Sequence, residues 1–170
     1  NDTLIALDAA TGEMRWHQHR TPAFGMEIAG YAGPALGGDK VYTAFSDGTV
    51  MAYDITDGSE EWPQVDLAAE AEQASGETPK YLDVDTTPIV DRIGSGEVVF
   101  VAGYAGGVFA LDADDGSRVW ANEKAAGVTE LMMWRQPAHR PRDGSTPLEV
   151  VVGAGAAGRP RPVRRRGRRA

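Results

Sequence analysis

The chain has 170 residues, 42% of them hydrophobic and 25% charged, with 21 glycines and no cysteine. That is the length of one ordinary domain or of a piece of something larger. The missing cysteine excludes disulfides, thiolate metal sites and a cysteine nucleophile, and no apolar run approaches the ~20 residues of a membrane-spanning helix. The formal charge of −8 is uneven, because seven of the seventeen Lys and Arg lie in residues 159–170, leaving a body of about −15. A body that acidic does not bind nucleic acid through its general field.

The chain opens on "NDTLIALDAATGEMRW", which reads as strand and turn rather than as a leader peptide. Within it, "ALDAATGEMRW" (residues 6–16) is the first of three copies of one motif; "AYDITDGSEEW" (52–62) and "ALDADDGSRVW" (110–120) are the others, 46 and 58 residues further along. The shared order is Ala, apolar, Asp, two variable residues, Thr or Asp, Gly, three variable residues, Trp. The recurring residues are Asp8, Gly12 and Trp16, then Asp54, Gly58 and Trp62, then Asp112, Gly116 and Trp120. The Asp can accept turn N–H bonds, and the Gly can take a positive φ. The Trp is expected to end the last strand of each unit and seal one sheet against the next. His17 and His19 follow the first Trp; two histidines lack the third ligand a metal needs and read as surface residues.

Between the first two motifs, "DKVYTAF", then "DG", then "TVMAYD" is a hairpin signal, and "DGSEEW" supplies the next turn and strand. "DLAAEAEQASGE" (66–77) has no β-branched residue and reads as a short acidic helix or a disordered loop. It lengthens the linker that runs into "DVDTTPIV" (83–90), and long loops in compact repeats tend to carry function. Three readings of Asp83-Val84-Asp85 stay open from the letters alone: a Ca²⁺ site, a partner-docking loop, or a polar start to a strand. An acid–base pair is set aside, since no nucleophile or histidine accompanies it.

In the third copy Val108 and Ala110 fall on one face of a strand and Phe109 and Leu111 on the other, so both faces are apolar and sheets should stack on either side. Repeats of four antiparallel strands packed in this way read as propeller blades. "ELMMWRQ" (130–136), with Met132, Met133 and Trp134, reads as core packing rather than a peptide-binding surface. A fourth unit is placed at residues 137–158, with Pro137 matching Pro34 and Pro88. "GAGAAG" (153–158) fails the dinucleotide fingerprint. Residues 159–170, "RPRPVRRRGRRA", are expected to be a disordered tail or a frameshift product, the rival being a basic tail for acidic lipid or nucleic acid. The fold class is therefore all-β: a β-propeller fragment of about three to four blades of four antiparallel strands over residues 1–158. An open arc of that kind is expected to unfold with little cooperativity.

The repeat resembles that of the pyrroloquinoline-quinone-type propellers, and "DVDTTP" within it resembles the BamB branch. The resemblance implies an eight-bladed, non-catalytic scaffold at the periplasmic face of the outer membrane, held by a lipid anchor. It docks to a BamA-like barrel-inserting subunit, with no cofactor and no small-molecule substrate. By that match Asp83 and Asp85, with Thr86 and Thr87 beside them, are the partner-binding residues. A second docking loop of the family finds no motif match in residues 17–33. The chain departs from the branch in blade number, in lacking the lipid-attachment cysteine, and in the course of its fourth unit. The alternatives are a quinoprotein dehydrogenase, which needs a calcium-held quinone, and a sensor propeller of a membrane kinase.

Overall fold

The computed structural model describes residues 3–20, 32–76, 84, 86–103, 107–125, 127–135 and 148–154. Among them lie twelve strands in four antiparallel sheets that follow one another along the chain. The first sheet is β1 (Thr3–Leu7) and β2 (Met14–His19). The second is β3 (Ala35–Gly37), β4 (Lys40–Ala44), β5 (Thr49–Asp54) and β6 (Val65–Asp66). The third is β7 (Ile89–Ile93), β8 (Gly96–Gly103), β9 (Gly107–Asp112) and β10 (Arg118–Asn122), and the fourth is β11 (Val128–Arg135) and β12 (Leu148–Ala154). In the two four-stranded sheets each strand pairs with its neighbour in sequence, as in the blades of a propeller.

Apolar residues on successive strand positions explain the stacking. Val41, Met51 and Tyr53 turn toward the first blade, where Leu4 and Trp16 meet them. Their neighbours Tyr42, Ala44, Val50 and Ala52 turn the other way, onto Val99, Val101, Phe109 and Leu111 of the third blade. On the far side of that blade Val98, Phe100 and Ala110 receive Leu131 and Met133 of β11, while Val128 packs on Ala102 and Val108. A period-2 pattern with apolar residues on both faces thus yields sheets buried on both sides.

Three details differ from the sequence reading. Trp16 and Trp120 lie inside the last strand rather than at its end: Trp16 faces Ala6 across the β2–β1 pair, and Trp120 faces Ala110 across β10–β9. In the second blade the last strand is broken. Glu60 bridges to Tyr53 and Glu61 N–H donates to Ala52 C=O at 2.9 Å, but pairing resumes only at β6. Pro63 sits in the gap and has no N–H for the ladder. Finally, β11 lies ahead of Pro137 and pairs with β12, so the described part of the fourth sheet begins before the point at which the proline match placed it.

Of the two readings for residues 66–77, the helix is observed, as α1 (Leu67–Ser75). Asp66 ends β6 and caps α1, its Oδ1 accepting from Ala69 N–H at 2.9 Å. Gly76, at φ 74°, closes the helix and donates to Glu72 C=O. Leu67 is buried in the core between the second and third blades, and Arg118 on β10 forms an ion pair with Glu70.

Candidate docking site

Each motif builds the same turn. The N–H of Asp8, Asp54 and Asp112 donates at 2.8 Å to the carbonyl five residues on, and the N–H of Gly12, Gly58 and Gly116 returns to that Asp carbonyl. The Asp side chain takes the turn's inner amides: Asp8 accepts from Ala10 and Thr11, Asp54 from Thr56 and Asp57, Asp112 from Asp114. The Thr-or-Asp position also accepts from the N–H two residues further, as Thr11, Asp57 and Asp115. Such donors hold three carboxyls below the usual carboxylate range: Asp8 chiefly through the Thr11 N–H, Asp57 chiefly through the Ser59 N–H, and Asp115 chiefly through the Ser117 hydroxyl.

The turns also form the seams between blades. A Cβ on Gly58 would stand 2.7 Å from the Trp16 ring, and one on Gly116 would stand 1.7 Å from the Trp62 ring. Each tryptophan therefore lies flush on the glycine of the next motif. Trp16 Nε1–H adds a hydrogen bond to Ile55 C=O at 3.1 Å, and Gln18 Nε2–H donates to Gly58 C=O at 2.8 Å. In the second seam the carbonyl equivalent to that of Ile55 is Ala113 C=O, which accepts instead from the Tyr42 hydroxyl at 3.1 Å and from Lys40 at 3.3 Å. Trp62 Nε1 is left buried with no partner among the described residues. Burial, followed by the field of Glu97 and other acids, pushes the Tyr42 hydroxyl up to about 12.

The "DVDTTP" loop is anchored from within. Val84 is 1% exposed and belongs to the core between the second and third blades. Thr86 is equally buried, and its hydroxyl serves both backbone groups of one strand residue. It donates to Ala102 C=O at 2.9 Å and accepts from Ala102 N–H at 3.0 Å, extending the β8 ladder beyond its pairing with β7. Thr87 is exposed, and its Oγ1 accepts from Gly33 N–H at 2.9 Å, tying the loop to the start of the preceding blade. Asp83 and Asp85 lie outside the described residues. Of the four residues assigned to partner binding, then, Thr86 supports the loop from the interior and Thr87 spans two blades. Sequence reasoning missed this division, although Val84 and Thr86 share parity in a period-2 stretch, which signals a common inward face.

His17 and His19 are exposed on β2, with His19 Nδ1 2.8 Å from Thr3 Oγ1. Among the described residues no three His, Asp or Glu side chains gather as a metal site would require. No described helix is long and apolar enough to cross a membrane. Leu131 and Met133 pack into the core, but Met132 and Trp134 are exposed, so "ELMMWRQ" is only half core. Arg20 lies over the Phe45 ring at 5.2 Å, pairs with Asp47 at 3.2 Å and donates to Gln64. A polar cleft of about 400 Å³ runs between α1 and β10, lined by Glu70, Gln73, Arg118, Ala121 and Glu123. The Arg-rich residues 159–170 and "GAGAAG" beyond Ala154 lie outside the described residues.

Residues 1–138 match the family model described as outer membrane protein assembly factor BamB. The chain is similar to proteins of that name from Kangiella koreensis, at 30% identity over 55% of this chain and 22% of that one, and from Pseudomonas aeruginosa, at 30% identity over 62% and 26%. It thus spans about a quarter of the length of the curated relatives it matches. A europium-containing methanol dehydrogenase superposes with a TM-score of 0.50 and 22% identity, over 69% of this chain and 20% of that one, a likeness of fold.

Proposed function

The chain belongs to the outer membrane protein assembly factor BamB family, and from that premise we propose that it is a non-catalytic scaffold. Its blades present the 83–87 loop to a protein partner of the outer-membrane barrel assembly machinery, the BamA-like subunit, at the periplasmic face of the outer membrane. The family match over residues 1–138 carries the reading. The geometry supports it, because Val84 and Thr86, which flank Asp85 in sequence, are buried and anchor the segment at those two positions before any partner arrives. A loop held in advance loses little entropy on binding. Asp83 and Asp85 then supply charge-assisted hydrogen bonds to basic or backbone donors on the partner, which set orientation more than affinity.

The test is the double reversal Asp83→Lys with Asp85→Lys, read by capture of the partner's periplasmic domains and by circular dichroism. Capture is expected to weaken at least ~10-fold, as for loss of close interfacial charge pairs, with the strand signal unchanged. Full capture by a folded variant overturns the docking role. Uptake of a quinone with its absorbance band would instead favour the dehydrogenase reading.

A further inference from the structure

Helix α1 lies on the path from the second blade to the 83–87 loop. We infer that the Glu70–Arg118 ion pair is a strut that holds α1 on the third blade and so positions that loop for its partner; the inference rests on the docking role proposed above. Between Trp62 and Pro88 run 25 residues (63–87), against 17 between Trp16 and Pro34 (17–33) and 16 between Trp120 and Pro137 (121–136). Helix α1 takes nine of the 25. From its C-cap, Gly76, six residues (77–82) lead to Asp83. The far end of that stretch is fixed at Val84, which shares one apolar cluster with Leu67, the first residue of α1.

A nine-residue helix is marginal by itself, so what holds it matters. The first turn is well held: Asp66 caps it, Leu67 is buried, and Leu67 N–H donates to Gly48 C=O at 3.0 Å. Beyond that turn Glu72 and Gln73 are exposed, and the cleft of about 400 Å³ separates α1 from β10. The charge-assisted hydrogen bond from Arg118 Nη1–H to Glu70 Oε2 crosses it. The strand is shaped for this contact. β10 slips register between Arg118 and Trp120, and such bulges re-aim the side chains beside them. The first motif slips in the same region, but it carries Met14 where the third carries Arg118, and the second carries Glu60. An arginine stands at this variable position in the copy whose last strand faces α1.

Two magnitudes set the size of the effect. The paired side chains are 48% and 33% exposed, and surface pairs of this kind shift an equilibrium by about 1.5- to 5-fold. Release of α1 beyond Leu67 moves the upstream fixed point before Val84. The span between fixed points grows from 7 residues (77–83) to 16 (68–83). The chance of holding such a span in one arrangement then falls roughly 3-fold. Glu70 and Arg118 thus act through the loop, as positioning residues, and touch no partner.

The test uses the 170-residue chain and the partner's periplasmic domains. Arg118→Glu and Glu70→Arg are each expected to speed amide exchange in α1 at least ~2-fold and to leave β8 and β9 unchanged. Each should weaken capture about 3-fold. The exchanged pair, Glu70→Arg with Arg118→Glu, is expected to restore both readouts, which a mere loss of helix propensity would not do. Because the chain has no cysteine, Gln73→Cys and Glu123→Cys, on the two sides of the cleft, can be joined by a short bis-maleimide. That link should restore capture to Arg118→Glu. Unchanged α1 exchange in both reversals overturns the strut, and faster exchange with full capture overturns its link to the loop. Asp83→Lys with Asp85→Lys separates the two readings. If that variant also captures fully, the docking role falls and takes the positioning role with it, while α1 exchange still reports the strut. If it weakens capture and the reversals do not, the positioning role alone is overturned.

Discussion

Gly12 and Gly116 occupy the same motif position with the same φ of 75°, yet their surroundings differ. At Gly12 an added Cβ meets nothing within 4 Å, whereas at Gly116 it would overlap the Trp62 ring. Alanine at either site bears the left-handed backbone cost, about 1–2 kcal/mol. At Gly116 it must also displace a tryptophan that is 3% exposed in the core. Urea unfolding of the dilute chain is therefore expected to show Gly116→Ala losing roughly 3 kcal/mol or more, in the range of an overpacked core, and Gly12→Ala about 1 kcal/mol. Equal losses would mean that the turn alone, and not the seam, requires the glycine. The repeat made the turn legible, because Asp and Gly at fixed spacing have a local meaning. It did not make the seam legible, because Trp16 and Gly58 are 42 positions apart and nothing local links them.

Among the elements, the three turns are the most uniform, and their hydrogen-bonded carboxylates make them sensitive to acid. Backbone and hydroxyl donors stabilise the charged carboxylates of Asp8, Asp57 and Asp115, so their folded pKa values lie below the unfolded value. Their contribution is complete above the unfolded value, near pH 4, and is lost as pH falls through the folded values. The melting temperature is expected to hold from pH 7 to about 5 and to decline below about 4. The double variant Asp57→Asn with Asp115→Asn should show a shallower decline, and an unchanged slope would remove these turns from the acid response. The breaks in regularity were harder to foresee. Pro63 splits the last strand of the second blade, a local effect that the letters do contain. The start of the fourth sheet at β11 was hidden by a proline match, since Pro137 resembles Pro34 and Pro88 by residue type while strand pairing is set by long-range register. In the candidate site, Thr86 looked like one more polar loop residue, because a side chain that extends a ladder at Ala102 is visible only once both segments are placed.

At the scale of the whole molecule, burial is concentrated in the middle. β4, β5, β8 and β9 are buried along most of their length on both faces, while β1, β2 and β10 are largely exposed. The largest apolar cluster joins the second and third blades, and the terminal pairs contribute smaller ones. Opening free energies should therefore rise from the ends toward the centre, as they do wherever cooperative units differ in buried contact. In dilute solution, amide hydrogen exchange is expected to be slowest in β4, β5, β8 and β9. It should be faster in β1 and β2, which pair only with each other among the described residues and are largely exposed. Protection that is uniform along the chain would mean that the blades melt as one unit.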